Sequence, residues 1–296
     1  MASLNHRAIV PQKLELDSKF RFRCYPGISC FTRCCSGIEI LLTPYDVVRM
    51  KNRLGLNSTT FLQRHTWSRI DEKTTQPLLF IKLNDDEERL CPFVVEKEGC
   101  TIYTDRPAAC RYYPIGQTTH RRADESNQNA VHDEWYVMVR EKHCLGFDEN
   151  REWSVAQWRD DQESSLYDEM NREWKNIMMK QDLPRDKIEE RRQKMFYMAS
   201  YDLDSFRRYV LESRFLELFD VGDVLVEKIS ADDVELMHFA VKYLKYLLGI
   251  QPELNLKPHV REEQERFIAE KRAREDMERA EREAAVRAGK EPPQEE

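Results

Sequence analysis

Eight cysteines are the residues of this chain best suited to chemistry: Cys24, Cys30, Cys34 and Cys35, then Cys91, Cys100 and Cys110, then Cys144. All lie within 121 residues of the first half, and none occurs in the last 152. Thiolates are soft donors that bind zinc or iron tightly, and four of them satisfy either a tetrahedral ion or an iron–sulfur cluster. A free thiol also packs as a small hydrophobe, which would account for one or two such residues. Eight so close together, in a chain expected to occupy the reducing cytoplasm, point to metal rather than to disulfides. Drawing several sulfurs to one point needs sharp bends, and Pro26, Gly27, Pro92, Gly99, Pro107 and Pro114 stand among them.

The spacing leaves the metal open. No C-x2-C knuckle of the zinc-ribbon kind is present, and Gly37 stands where the radical-chemistry triad C-x3-C-x2-C would need its third cysteine. Iron, an iron–sulfur cluster and, as the alternative, zinc all suit the donors. Neighbouring side chains in an extended chain point apart. Cys34 and Cys35 therefore read either as serving two centres or as one ligand beside a spare thiol. His143, next to Cys144, is a candidate for a mixed ligand set, with a surface or supporting role as the plainer reading. The other six histidines fall in no ligand spacing. Arg106 and Arg111 flank Cys110, with Tyr103, Tyr112 and Tyr113 close by; donors this near could hydrogen-bond sulfur and tune a potential. The alternative is a turn at Arg106-Pro107 and packed tyrosines.

Elements must bring these segments together. Residues 1–23 read as an extended N-terminal segment. Residues 38–42 predict a strand, and Thr43-Pro44-Tyr45-Asp46 a helix start: a hydroxyl cap, a proline in the first turn and an acid at the positive dipole end. Gly55 is placed to end that helix in a left-handed conformation. A short helix is expected over residues 60–65, and strands over residues 78–83 and 136–140. Residues 91–114 hold three cysteines and three prolines, with little room for regular structure, and residues 116–134 read as a polar loop.

After Cys144 the pattern turns helical. Ser154-x-x-Gln157 has capping-box spacing, and Pro184 could begin a helix over residues 184–199. Residues 203–219 place Phe206, Val210, Leu211, Phe215 and Leu218 at three- and four-residue steps. Ser230 and the aspartates after it predict the start of a helix with the stripe Val234, Met237, Val241, Leu244 and Leu248. Such stripes are core. Residues 261–288 carry Glu262/Arg266, Glu270/Arg274, Glu278/Arg282 and Glu283/Arg287 at i,i+4 spacing, a solvated helix running into a disordered end at 290–296.

The expected organisation is thus a segment 1–23, a cysteine-cluster metal-binding domain over 24–150, a helical region over 151–257 packed on it, and a charged helix with a disordered tail over 258–296. The expected fold class is α+β, predominantly helical.

Residues 1–150 carry 21 basic and 20 acidic groups, while 151–296 carry 26 and 34. An acidic, solvated second half offers no basic footprint for nucleic acid or for an anionic membrane. No apolar run approaches the roughly 20 residues that span a bilayer, and no signal peptide is legible at the N-terminus. A protein partner and the oligomeric state stay open.

The residues also resemble a known family. Cys30-x3-Cys34-Cys35 followed by Ile38-x-Ile40-x-Leu42-Thr43-x2-Asp46-x2-Arg49 and Leu54-Gly55 is similar to the YkgJ-type cysteine-cluster proteins, the CxxCxxCC zinc- or iron-chelating type. A second block continues it: Cys91-Pro92-Phe93, Cys100-Thr101-Ile102-Tyr103, Asp105-Arg106-Pro107, Cys110-Arg111 and Tyr113-Pro114, with Cys144-Leu145-Gly146 resembling the final cysteine. Five residues separate Cys24 from Cys30, where the family usually has two. The resemblance spans about residues 24–146 and implies metal chelation. Flagellin lysine N-methylase is similar in its cysteine region, which implies S-adenosylmethionine-dependent methyl transfer to a protein lysine as a second reading. Against that, the chain has nine glycines and no glycine-rich strand-to-helix loop. A third reading is an interaction module around a structural zinc. Whether the chain is an enzyme stays open at this point; the leading reading is a metal-binding protein, its centre either structural or used for electron transfer or redox sensing.

Overall fold

The computed structural model describes residues 7–121, 132–179, 189–250 and 253–287. Its strands are β1 Arg7–Leu14, β2 Lys19–Arg21, β3 Leu41–Leu42, β4 Thr66–Ile70, β5 Pro77–Ile81, β6 Val94–Val95, β7 Gly99–Cys100, β8 Ile115–Arg121, β9 His132–Glu141 and β10 Glu152–Ser154. Its helices are α1 Pro44–Leu54, α2 Ser58–His65, α3 Ala108–Tyr112, α4 Val155–Asp161, α5 Ser164–Met178, α6 Glu189–Tyr201, α7 Leu203–Glu212, α8 Phe215–Leu218, α9 Asp223–Ala231, α10 Asp233–Leu247 and α11 Pro258–Arg287. The fold is α+β and predominantly helical, with short strands around the cysteines and helices from α4 onward.

All the pairings are antiparallel, in sheets ordered β1-β9-β8, β10-β2, β3-β5-β4 and β6-β7. Two cores result. The larger collects α1, α2, β5 and helices α5 to α10 around Leu42, Met50, Phe61, Tyr167, Phe206 and Leu244. The smaller gathers Phe20, Phe22, Tyr112, Tyr136, Trp153 and Trp158 beneath β2, β9 and β10. Phe22 meets Tyr113, Phe147 and Trp158 edge-on there, with centroids 5.3 to 5.8 Å apart.

Local signals succeeded where one or two side chains decide. Thr43 caps α1 in a reciprocal box with Asp46, and Gly55 closes the helix at φ +64°. Ser154 and Gln157 make the same box at α4. The strand expected over 38–42 narrows to Leu41–Leu42, although the Ile40 carbonyl still accepts from Ile81 N at 3.0 Å.

Two expectations are corrected. The polar loop expected over 116–134 is instead β8 and β9 on either side of residues 122–131, paired from Ile115↔Met138 to Arg121↔His132. Backbone hydrogen bonding holds this ladder whatever its side chains, and a strand with one solvated face need not be apolar. Ser230 does not open a helix; it lies inside α9, while Asp232 caps α10 by accepting from Val234 N and Glu235 N. The helix start expected at Pro184 and the tail over 290–296 lie outside the described residues. Helix α11 is solvated, with Lys271–Glu275 and Arg274–Glu278 ion pairs at i,i+4.

Candidate metal centre

Four segments carry the sulfurs. Cys24 and Cys30 lie on the loop after β2, Cys34 and Cys35 in the 3-10 turn Arg33–Cys35, Cys91 to Cys110 around the β6-β7 hairpin and α3, and Cys144 just before the turn Leu145–Asp148. None of the eight is in a disulfide.

Close backbone approach joins the first and last segments. Gly146 lies so near that a Cβ there would meet the Phe22 ring at 2.7 Å and the Arg23 carbonyl at 2.9 Å. Arg23 N donates to Gly146 O at 3.0 Å, and Leu145 N donates to Cys30 Sγ at 3.3 Å. Cys24, Cys30, Cys34 and Cys144 consequently share one electrostatic neighbourhood. Cys91, Cys100 and Cys110 share another on the larger core, where the hairpin sets Val94 opposite Cys100.

Burial, then the thiols of Cys34, Cys30 and Cys144, push the Cys24 thiol up to about 12. Burial takes Cys91 to about 11 and raises Cys100, Cys110 and Cys144 as well, with Cys91 and Cys100 adding to the rise at Cys110. For Cys34 the contact with the Cys35 thiol leads and burial follows. Crowding and desolvation favour neutral thiols; a bound metal ion would reverse that preference.

Backbone amides already oppose it. The Phe93, Ile102 and Gly146 amides, each two residues further along, work against the rise at Cys91, Cys100 and Cys144, and Leu145 N donates to Cys30 Sγ at 3.3 Å. Such donors offset thiolate charge and tune a metal bound to it. The donor set therefore suits a soft cation. Among the described residues, no three or more cysteine, histidine or acidic side chains are already drawn in as a ready-made metal site.

The reading of Cys34 and Cys35 as an extended pair is corrected. They sit in a 3-10 turn, which rotates successive side chains by only about 120° and puts the Cys35 thiol in the field of Cys34. His143 Nε2 is 3.4 Å from Glu141 Oε2, and Glu141, 3% exposed, lies in the field of Cys34 and Tyr113. The buried Tyr113 hydroxyl has no nitrogen or oxygen partner and faces Cys144.

The arginines divide. Arg106 lies in the field of Cys110 and Cys100 while donating to Tyr103 O and Gln162 Oε1. Arg111 turns away from the sulfurs to Arg106 O, Gln162 O, Thr104 O and the Tyr167 hydroxyl. It fastens the segment holding Cys110 to α4 and α5. Of the tyrosines, Tyr112 bonds Asp168, and Tyr103 is exposed beneath Arg106.

Asp46 was legible only as a helix acid. Fully buried, it also accepts from Ala108 N at 2.8 Å and so sets the start of α3, two residues before Cys110. Arg49 makes a parallel tie to Asp105 at 2.7 and 2.9 Å. Their spacing in the sequence carried a hint of this, because Asp46, Arg49 and Asp105-Arg106-Pro107 all belong to the resemblance.

Residues 23–145 match the family model described as CxxCxxCC, "putative zinc- or iron-chelating domain". This part of the chain is similar to CxxCxxCC domains. The domain so delimited takes in all eight cysteines, both sulfur neighbourhoods and the arginine and aspartate ties that hold them. No curated protein and no solved structure matches the chain. Among the described residues, no helix is long and apolar enough to cross a membrane.

Proposed function

We propose that the chain is a metal-binding protein whose CxxCxxCC domain holds iron, as an ion or an iron–sulfur cluster, through thiolates from its four cysteine segments. Zinc is the alternative these donors accept. The observation that carries the reading is the gathering of sulfurs from four separate segments, pinned where Leu145 N donates to Cys30 Sγ at 3.3 Å, within a stretch that matches a metal-chelating family model. An amide aimed at sulfur suits a thiolate, since a neutral thiol is a weak acceptor.

When bound, iron would supply one-electron chemistry, whereas zinc would hold the loops together. The chain's own part is to bend four segments toward one another, shield the sulfurs from water and offset their charge with amides, with Arg106 and with the Tyr113 hydroxyl. A reducing compartment such as the cytoplasm keeps these donors from pairing with one another.

Anaerobic purification, metal analysis and an absorption spectrum test this. Brown protein containing iron and acid-labile sulfide supports the redox-active reading; colourless protein containing zinc moves it to a structural centre. Protein purified without either metal, and taking up neither on reconstitution, ends the proposal. Tight binding of S-adenosylmethionine in calorimetry would bring the lysine methylase reading forward in its place.

A further inference from the structure

Eight sulfurs are twice what one tetrahedral ion or one four-cysteine cluster takes. Their placement divides them. Cys24, Cys30 and Cys34 lie close to Cys144, whose turn packs on the smaller core and donates Leu145 N to Cys30 Sγ. Cys91 belongs to the larger core, and Cys35, Cys100 and Cys110 pack against that same core. Cys91 N donates to the Cys35 carbonyl at 3.0 Å, which ties the 3-10 turn to the second set of sulfurs through the backbone.

We propose that the eight cysteines make two separate metal sites: Cys24, Cys30, Cys34 and Cys144 in one, and Cys35, Cys91, Cys100 and Cys110 in the other. The Cys34–Cys35 dipeptide is divided between them. This rests on the metal-binding reading above and goes beyond it in number and in assignment. A 3-10 turn can serve two adjoining sites because successive side chains leave it about 120° apart, and the shared Cys34–Cys35 dipeptide makes the two sites neighbours.

The sites also differ in access. Cys24 is exposed, and the residue before it, Arg23, lines a surface hollow with Asp148, Glu149, Asn150 and Arg151. Each set holds one buried cysteine, Cys30 in the first and Cys91 in the second, but the second set has no exposed member and rests on the larger core. The first site is therefore the exchangeable one and gives up its metal first to a chelator.

The test measures metal per chain after anaerobic purification for the wild type, Cys24→Ser, Cys144→Ser, Cys110→Ser and the Cys144→Ser/Cys110→Ser double variant, with circular dichroism as the control for folding. Two four-thiolate sites predict that each single variant keeps about half of the wild-type metal and that the double variant loses nearly all of it. Alkylation mapped by mass spectrometry checks the assignment. In Cys110→Ser, the proposal expects Cys35, Cys91 and Cys100 to label while Cys24, Cys30, Cys34 and Cys144 stay protected.

Loss of all metal from both Cys24→Ser and Cys110→Ser, with helicity retained, overturns the division and leaves metal binding standing. Protection of Cys35 together with Cys34 in Cys110→Ser does the same to the assignment. Wild-type protein without metal removes the underlying reading instead. Cys24→Ser alters an exposed residue, so it carries the test of the first site if Cys144→Ser fails to fold.

Discussion

Leu145 N donates to Cys30 Sγ at 3.3 Å across a sequence separation of 115 residues, so a cysteine before the first helix is finished by an amide after the last strand of the hairpin sheet. That bond exists because Gly146 lets two backbones meet.

Gly146→Ala should break this approach. The added Cβ would fall 2.7 Å from the Phe22 ring and 2.9 Å from the Arg23 carbonyl, and the carbonyl cannot swing aside as a side-chain tip can. Overpacking of this kind costs about 1–3 kcal/mol. Thermal unfolding should show the loss, and metal content should fall with it. Gly222, with open space around its Cβ position, is the control and should tolerate alanine with a much smaller change.

Arg111 is the main tie between the cysteine segments and the helices after them. It is 2% exposed and serves three carbonyls and the Tyr167 hydroxyl, which lies 2.9 Å away. Arg111→Ala leaves these buried acceptors without donors, at about 1–3 kcal/mol for each unmet group. We expect a loss of at least about 3 kcal/mol in urea unfolding. Arg111→Lys should recover little of it, because a single ammonium cannot reproduce the planar fork.

Thr43→Ala should cost about 1 kcal/mol, the usual worth of an N-cap. Its hydroxyl donates to Asp46 Oδ2 at 2.7 Å and accepts from Asp46 N at 3.4 Å. Asp46→Ala should cost more, because the same carboxylate also accepts from Ala108 N. Comparing the two variants by denaturant midpoint separates the cap from the tie to α3.

Asp233 makes stability depend on acid. Burial pushes its carboxyl up, but Lys51 at 2.7 Å and Arg207 at 2.6 Å outweigh burial and hold it below the ordinary 3.8. A carboxylate depressed in the folded state adds stability that is present above the ordinary value and is lost as pH falls through the folded one. Asp233→Asn should therefore lower stability at pH 7 by about 2 kcal/mol, with Lys51 left buried, and flatten the acid limb below about pH 4. Urea titrations from pH 3 to pH 7 give both readings; parallel curves for the two proteins would refute the linkage.

What could be read from the sequence was local. The hydroxyl cap at Thr43, the stop at Gly55 and the box of Ser154 with Gln157 each depend on residues within one or two turns of one another, and all stand as expected. The stripe Met237, Val241, Leu244 and Leu248 faces the larger core for the same reason: helical spacing alone decides which side is apolar. Strand β9 was legible over 136–140, but β8 and the start of β9 were missed because their hydrogen bonds come from partners rather than from their own polar side chains.

The cysteines show the same boundary more sharply. Residue type and number sufficed to point to metal, and the family match supports that reading. Which sulfur neighbours which was decided only by the tertiary structure. Cys144 reaches Cys24 because Gly146 has no side chain, Cys110 is set by Asp46 holding Ala108, and Cys35 rests on a core built largely from helices beyond residue 160. Short-range rules follow from chain geometry that every residue carries with it, whereas contacts across a hundred residues depend on how separate elements pack, and no spacing in the sequence records that.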